Sequence, residues 1–246
     1  MTADVYALVG AAGGAGTTRL SLEFAATLAR AGKDVAVVDA VFDTQGLATA
    51  TPGRIDPDVT RVVTDDLPLG EAATVLDLDV PGRVTAMPAR ASFERMSRAM
   101  TSVCAQRFAE RVSTAARAYD AVLVDVPPLA ANQAVAAVTA AERVAVVAPD
   151  SERGVDALAR TRDRLADVDA SVDAVVANVA DPDDRHLPEA DAAVPESETT
   201  ALPAAPVATG PDEFATAVAR AVEAVAGVQL DLPEPDSSAL TDYLPG

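Results

Sequence analysis

The residues best suited to chemistry lie together near the start of the chain, in Gly10-Ala11-Ala12-Gly13-Gly14-Ala15-Gly16-Thr17-Thr18-Arg19. An apolar run, Val5 to Val9, precedes them and a stretch of helical periodicity follows. Glycines at a strand-to-helix turn let backbone N–H groups close around an anion, and the helix start adds a partial positive charge. The chemistry on offer is phosphate binding; the bare alternative is a tight turn with no ligand. Two phosphate-binding patterns compete. Gly10, Gly13 and Gly16 have the spacing of a dinucleotide loop, with Asp39 ending the next strand where a ribose-binding acid would sit. The strict P-loop, G-x-x-x-x-G-K-[ST], is not met, because Thr17 occupies the lysine position.

The elements that must position this loop follow an α/β alternation of short apolar runs and longer Ala/Arg-rich helical stretches. Strands are expected at 5–9, 35–38 (ending in Asp39), 83–87, 121–125, 143–147 and 172–177. Helices are expected over 17–31 with Gly32 as its stop, over 92–118 as one long helix, over 153–167 and over 211–226. Residues 41–80 read as irregular with short helices, and 181–210 as loop with a short strand near Val194. The expected architecture is one doubly wound, mostly parallel sheet with helices on both faces, over residues 1–226. The remainder, 227–246, carries acids and three prolines and reads as a disordered tail. No internal repeat is visible.

Composition narrows the function. Asp and Glu number 38 against 19 Lys and Arg, a net charge of −19, which disfavours a nucleic-acid binder lacking a basic stripe. A local patch of Arg107, Arg111 and Arg117 stays open as an exception. Cys104 is the one cysteine and His186 the one histidine, so a disulfide framework, a Cys or His metal centre and a Ser-His-Asp triad are disfavoured. Cys104 reads as core, His186 as a loop residue, and Asp181, Asp183 and Asp184 as a solvated loop. Lys33 is the only lysine, and no tyrosine precedes it at the spacing of a short-chain reductase pair. Acidic, Ala-rich and Lys-poor composition resembles cytoplasmic proteins of salt-loving cells, although drift towards GC-rich codons produces the same bias. Neither a basic, apolar leader nor a run of about 18 apolar residues occurs, so a soluble, cytoplasmic chain is expected.

Several segments together resemble the MinD/ParA family of deviant P-loop ATPases. Ala12 to Thr18 aligns without gaps on that family's Lys-Gly-Gly-x-Gly-Lys-Thr loop. Val37-Val38-Asp39-Ala40, followed by Phe42 to Thr49, resembles its switch I. Tyr119-Asp120-Ala121-Val122-Leu123-Val124-Asp125-Val126-Pro127-Pro128 is similar to its YDxVxxDxPP segment, which holds Walker B and switch II. Val175-Val176-Ala177-Asn178 resembles the strand that ends near the adenine base, and Ala193 to Glu196 and Ala205 to Val207 echo a late segment. The likeness runs over about residues 4–226.

The resemblance implies ATP and Mg²⁺ as ligands, held by Gly13, Gly14, Ala15, Gly16, Thr17, Thr18, Arg19 and Asn178. It assigns Thr18, Asp39 and Asp125 to the metal, and Asp39, Asp43 and Asp125 to catalysis. It also implies where chemistry is missing. The two loop lysines of active members, one on the β/γ-phosphates and one reaching across a nucleotide-sandwiched dimer, fall on Thr17 and Ala12. The second switch I aspartate falls on Val41 unless a gap brings Asp43 into that place. Asp125 alternatively reads as a strand-end acid capping the next turn. For Arg19 the options are a phosphate contact replacing the lost lysine or an i,i+4 pair with Glu23. The implied function is a dimerising nucleotide switch in cell division, chromosome partitioning or intracellular positioning, with weak or lost hydrolysis and an unidentified partner protein. A pseudo-ATPase scaffold without nucleotide and, more remotely, an NAD(P)-dependent reductase are the alternatives. The acidic, proline-broken segment Val228 to Glu234 disfavours direct membrane docking.

Overall fold

The structure, a computed structural model, describes residues 4–181 and 183–232. Its centre is an eight-stranded sheet made of β1 (Asp4–Gly10), β2 (Asp34–Asp39), β3 (Thr74–Leu76), β4 (Arg83–Met87), β5 (Ala121–Val126), β6 (Arg143–Pro149), β7 (Ala174–Asn178) and β8 (Ala192–Val194). The spatial order is β3-β4-β2-β5-β1-β6-β7-β8, and only the β3–β4 pairing is antiparallel. Central strands covered on both faces carry continuous apolar runs. Val5, Ala7 and Val9 of β1 face one helical layer, while Tyr6 and Leu8 face the other.

The first layer holds α3 (Val59–Asp65), α5 (Ser102–Ala115), α6 (Asn132–Ala140) and α7 (Glu152–Ala166). The second holds α1 (Thr17–Arg30) and α8 (Glu213–Ala226), joined by Leu47 of the short α2 (Leu47–Ala50). With few aromatics available, the core is Ala, Val and Leu; the edge-on pair Phe42–Phe108, centroids 5.9 Å apart, is an exception. Helix α1 is buried almost all round, because the sheet, α8 and the segment after β8 enclose it. The doubly wound sheet with helices on both faces is as the sequence leads one to expect.

Local departures have physical causes. The single helix expected over 92–118 is two, α4 (Phe93–Ala99) and α5. Thr101 breaks it by adopting an extended conformation (φ −71°, ψ 157°) while its hydroxyl donates to the Arg98 carbonyl at 2.9 Å. Threonine competes in this way with helical hydrogen bonding. Helix α6 and the edge strand β3 went unforeseen, being short and weakly periodic. Helix α1 ends one residue early, at Arg30, with Gly32 in the left-handed region (φ 77°) as expected of a stop. Of the segment read as a tail, residues 233–246 lie outside the described part, while Leu230 N–H donates to Glu223 Oε1 at 2.9 Å.

Candidate functional site

The carboxyl ends of β1, β2, β5 and β7 converge on the glycine loop. Ala11 N–H donates to Val147 O (2.8 Å), anchoring the loop's entry to β6, and Ala15 N–H donates to Ala12 O (3.2 Å). Gly14 (φ 79°) and Gly16 (φ 88°) take left-handed conformations, which side chains beyond glycine rarely adopt. A Cβ on Gly16 would also run into the Asn178 amide. The N–H groups of Gly13, Gly14, Gly16, Thr17, Thr18 and Arg19 make no hydrogen bond among the described residues. They are a loop and a first helical turn of donors without acceptors, an arrangement suited to an anion.

Among the described residues, neither the lysine nor the Arg19 guanidinium assists them. Ala12 and Thr17 stand where the resemblance places lysines, and Thr17 is nearly buried. Lys33 is at the opposite end of the sheet, one residue before β2. Arg19 turns away from the loop. Its Nε donates to Glu23 Oε1 (2.6 Å), Nη1 to Thr199 O (2.6 Å) and Nη2 to Ser197 Oγ (3.1 Å). The i,i+4 pairing is therefore the one the structure adopts.

Asp39 and Asp125 are register partners across β2 and β5, and both are fully buried. Asp39 accepts hydrogen bonds from Val41 N–H (2.8 Å) and Ala89 N–H (3.1 Å). Asp125 accepts none on either oxygen, so it does not cap the following turn. Burial holds the Asp39 carboxyl well above the usual range, and the neighbouring Asp125 raises it further. Burial likewise pushes Asp125 up to about 7; the Thr18 hydroxyl, close by but outside hydrogen-bonding geometry, opposes the rise. An unpartnered buried carboxyl beside a threonine hydroxyl and a bed of free amides fits a hydrated cation that arrives with phosphates. The protein alone does not build a metal site: among the described residues, no group of three or more His, Cys, Asp or Glu converges on one point.

Asp43 is exposed and accepts from Thr44 N–H (3.0 Å), while Val41 is buried at the ungapped switch I position. Asn178, nearly buried at the end of β7, donates from Nδ2 to Ala15 O (2.9 Å) and so ties the loop to the sheet. A cavity of about 200 Å³ lies beside it, bounded by Gly16, Arg19, Leu20, Pro195, Thr200 and Phe214. Sequence reasoning missed Ser197, Thr199 and Phe214, which sit in a polar, proline-rich stretch without periodicity.

The remaining residues keep apart from the site. Cys104 is buried in α5. The His186 backbone N–H donates to Asp150, and its ring lies 3.9 Å from exposed Asp184. Asp181 and Asp184 form a local bridge. Arg107 and Arg111 are engaged by Asp66 and by carbonyls of residues 63–67, which leaves Arg117 alone of the arginine patch. No described helix is long and apolar enough to cross a membrane.

The sheet order decides between the two loop patterns. In a dinucleotide fold the first two strands are neighbours, which brings the acid ending the second to the ribose. Here β5 lies between β1 and β2, and Asp39 is engaged by the Val41 and Ala89 amides. The order suits the P-loop alternative.

Comparison with known proteins agrees. A family model described as an AAA domain matches residues 3–173. No curated protein matches the chain in sequence. Among solved structures, the cell-division protein MinD of Aquifex aeolicus is 18% identical, with 94% of this chain and 100% of that one covered and a TM-score of 0.74. The ATP complex of a substituted Cyanothece McdA is 17% identical (95% and 99% covered, TM-score 0.72). Cobyrinic acid a,c-diamide synthase from Mycobacterium smegmatis, with an ATP analogue and magnesium, is 19% identical (95% and 100% covered, TM-score 0.69). At such identities the structural likeness speaks for the fold.

Proposed function

The chain belongs to the AAA-domain family and has the MinD/ParA fold, and from that premise we propose that it is a nucleotide-binding switch protein whose hydrolysis is weak or lost. The observation that carries this reading is the bed of unpartnered amides of Gly13, Gly14, Gly16, Thr17, Thr18 and Arg19 beside Asp125, with the Arg19 guanidinium turned away. ATP is the proposed ligand, and two of the similar structures hold ATP or an analogue. The loop amides bind the polyphosphate, and Asn178 fixes the loop's shape from below. Thr18, Asp125 and Asp39 are the residues that would hold Mg²⁺, which would neutralise phosphate charge. Asp39 acts mainly by keeping Val41 and Ala89 in place.

Phosphoryl transfer depends on charges fixed where the transition state develops them. Thr17 and Ala12 supply none, and the exposed Asp43 stands apart from the buried pair. Binding without efficient turnover suits a switch that pairs with a second copy or a partner protein in positioning or cell division. The cell-division protein MinD shares the fold, as does McdA in its ATP complex.

Calorimetry with Mg-ATP, in molar KCl and at low salt, tests the reading. Saturable heat with turnover well below the ~1 s⁻¹ lower range of ordinary enzymes supports it. Absence of heat for every purine triphosphate rejects it and leaves a scaffold that keeps the fold without the ligand.

A further inference from the structure

Arg19 and Glu23 form a device that the phosphate chemistry does not use. Both lie on the exit turns of the glycine loop, yet their hydrogen bonds run to a segment about 180 residues later. Glu23 is fully buried; Oε1 receives Arg19 Nε, and Oε2 receives Val207 N–H (2.8 Å) and Ala208 N–H (2.7 Å). The other two nitrogens of Arg19 hold Thr199 O and Ser197 Oγ, and its guanidinium lies 5.9 Å from the Phe214 ring centroid. Two side chains of one helical turn thus grip a later segment at both ends, 197–199 and 207–208. Between grip and glycine loop lies the cavity bounded by Gly16, Asn178, Pro195 and Phe214.

We propose that Arg19 is a positioning residue: through Glu23 it clasps segment 197–208 as the wall of a cavity that receives the base of a nucleotide, and its guanidinium makes no contact with the phosphates. The proposal rests on the nucleotide reading above and deepens it. The free amides account for the polyphosphate; the clasp accounts for selecting a ligand with a flat heteroaromatic ring over bare polyphosphate. A planar guanidinium is needed because the three acceptors are met by three separate nitrogens, Nε, Nη1 and Nη2, a span that the one nitrogen of an ammonium group does not cover.

The test compares Mg-ATP with magnesium tripolyphosphate, which lacks a base, on the full chain and on Arg19→Ala and Arg19→Lys. Both variants are expected to lose about tenfold in ATP affinity, as losing one charge-assisted contact would predict, and to bind tripolyphosphate as the parent does. Hydrogen exchange at the Val207 and Ala208 amides should accelerate in both without nucleotide. Equal losses for the two ligands would make Arg19 a phosphate ligand and overturn the clasp, as would unchanged ATP affinity with unchanged exchange. Should the parent chain bind neither ligand, the nucleotide reading falls separately. Exchange then decides alone: acceleration keeps the clasp, and its absence removes it.

Discussion

The two ends of the sheet use the same residue type in opposite ways. At the amino end, an acid stands immediately before each of four parallel strands, and its carboxylate accepts the N–H of a residue opening the neighbouring strand. Glu142 holds Val5 (2.6 Å), Asp120 holds Asp34 (2.9 Å), Asp173 holds Val144 (2.8 Å) and Asp191 holds Val175 (2.7 Å). Each bond is returned, because the acid's own N–H donates to the carbonyl of the residue it holds. At the carboxyl end, Asp39 and Asp125 are buried side by side, and Asp125 has no donor at all. At the amino end these four strand-opening amides all have carboxylate acceptors, which stabilises the fold. The carboxyl end leaves amides without acceptors a short way from a carboxyl without donors, an arrangement that costs stability and is expected where a ligand will complete it.

The sharpest way to break this contrast is to supply the missing charge at the carboxyl end. Thr17→Lys is expected to tighten Mg-ATP binding about a hundredfold, equivalent to ~2.7 kcal/mol, read by calorimetry against the parent chain. An unchanged affinity would mean that the loop amides do not face a polyphosphate.

Next comes the sign of a carboxylate's effect on stability. Asp125 has a folded-state pKa of about 7 against an ordinary value of 3.8, so the folded protein binds that proton more tightly than the unfolded chain. Its contribution is most favourable below about pH 4 and is lost as pH rises through 7. Asp125→Asn, which cannot ionise, should therefore melt higher than the parent at pH 8 without Mg²⁺, by roughly 2–4 °C for each kcal/mol gained. The gain should shrink towards pH 5. In the parent, Mg-ATP affinity should rise with pH through 7, since the cation needs the ionised form, and Asp125→Asn should flatten that rise. A variant less stable than the parent at every pH would mean that Asp125 is ionised and structurally paired.

Legibility in the sequence differs between the ends for the same reason. The carboxyl end was readable as local structure because a glycine turn between strand and helix imposes residue types at fixed spacing: β1 ends at Gly10, α1 starts at Thr17, and Asn178 ends β7 with its amide on the loop. The choice between P-loop and dinucleotide loop was not readable locally, since it depends on β5 inserting between β1 and β2, a non-local pairing. The clasp was half legible. Glu23 follows from i,i+4 spacing, but nothing about Ser197 or Thr199 marks them as the far side of an arginine. Helix α6 escaped because Asn132–Ala140 is apolar and small throughout and so lacks a distinct face. The acids before the strands were visible as letters, yet their role needs the register of two strands far apart in sequence.

Those acids give the next test, with the opposite sign from Asp125. Asp173→Ala removes the acceptor of Val144 N–H in a partly buried setting and is expected to cost about 1–2 kcal/mol in a denaturant melt. Nucleotide affinity should stay within twofold of the parent, a loss of less than about 0.4 kcal/mol. A large loss of affinity would mean that the two ends are mechanically coupled, and the contrast between them would no longer hold.

The smallest effect separates amide bonding from ion pairing at the amino end itself. Arg83 pairs with Asp34, but both side chains are largely exposed, at 56% and 40%. An exposed pair gains little because water already solvates both charges, and molar salt screens what remains. Arg83→Ala should therefore change stability by less than about 0.5 kcal/mol at low salt and by nothing measurable in molar KCl. Asp120→Ala, which breaks the acceptor for the Asp34 amide, should cost more in both media, because a hydrogen bond to backbone is little affected by ionic strength. If instead the two variants lost comparable stability at low salt and both recovered in KCl, the amino end would be held by surface charge, and its difference from the buried pair would be one of screening.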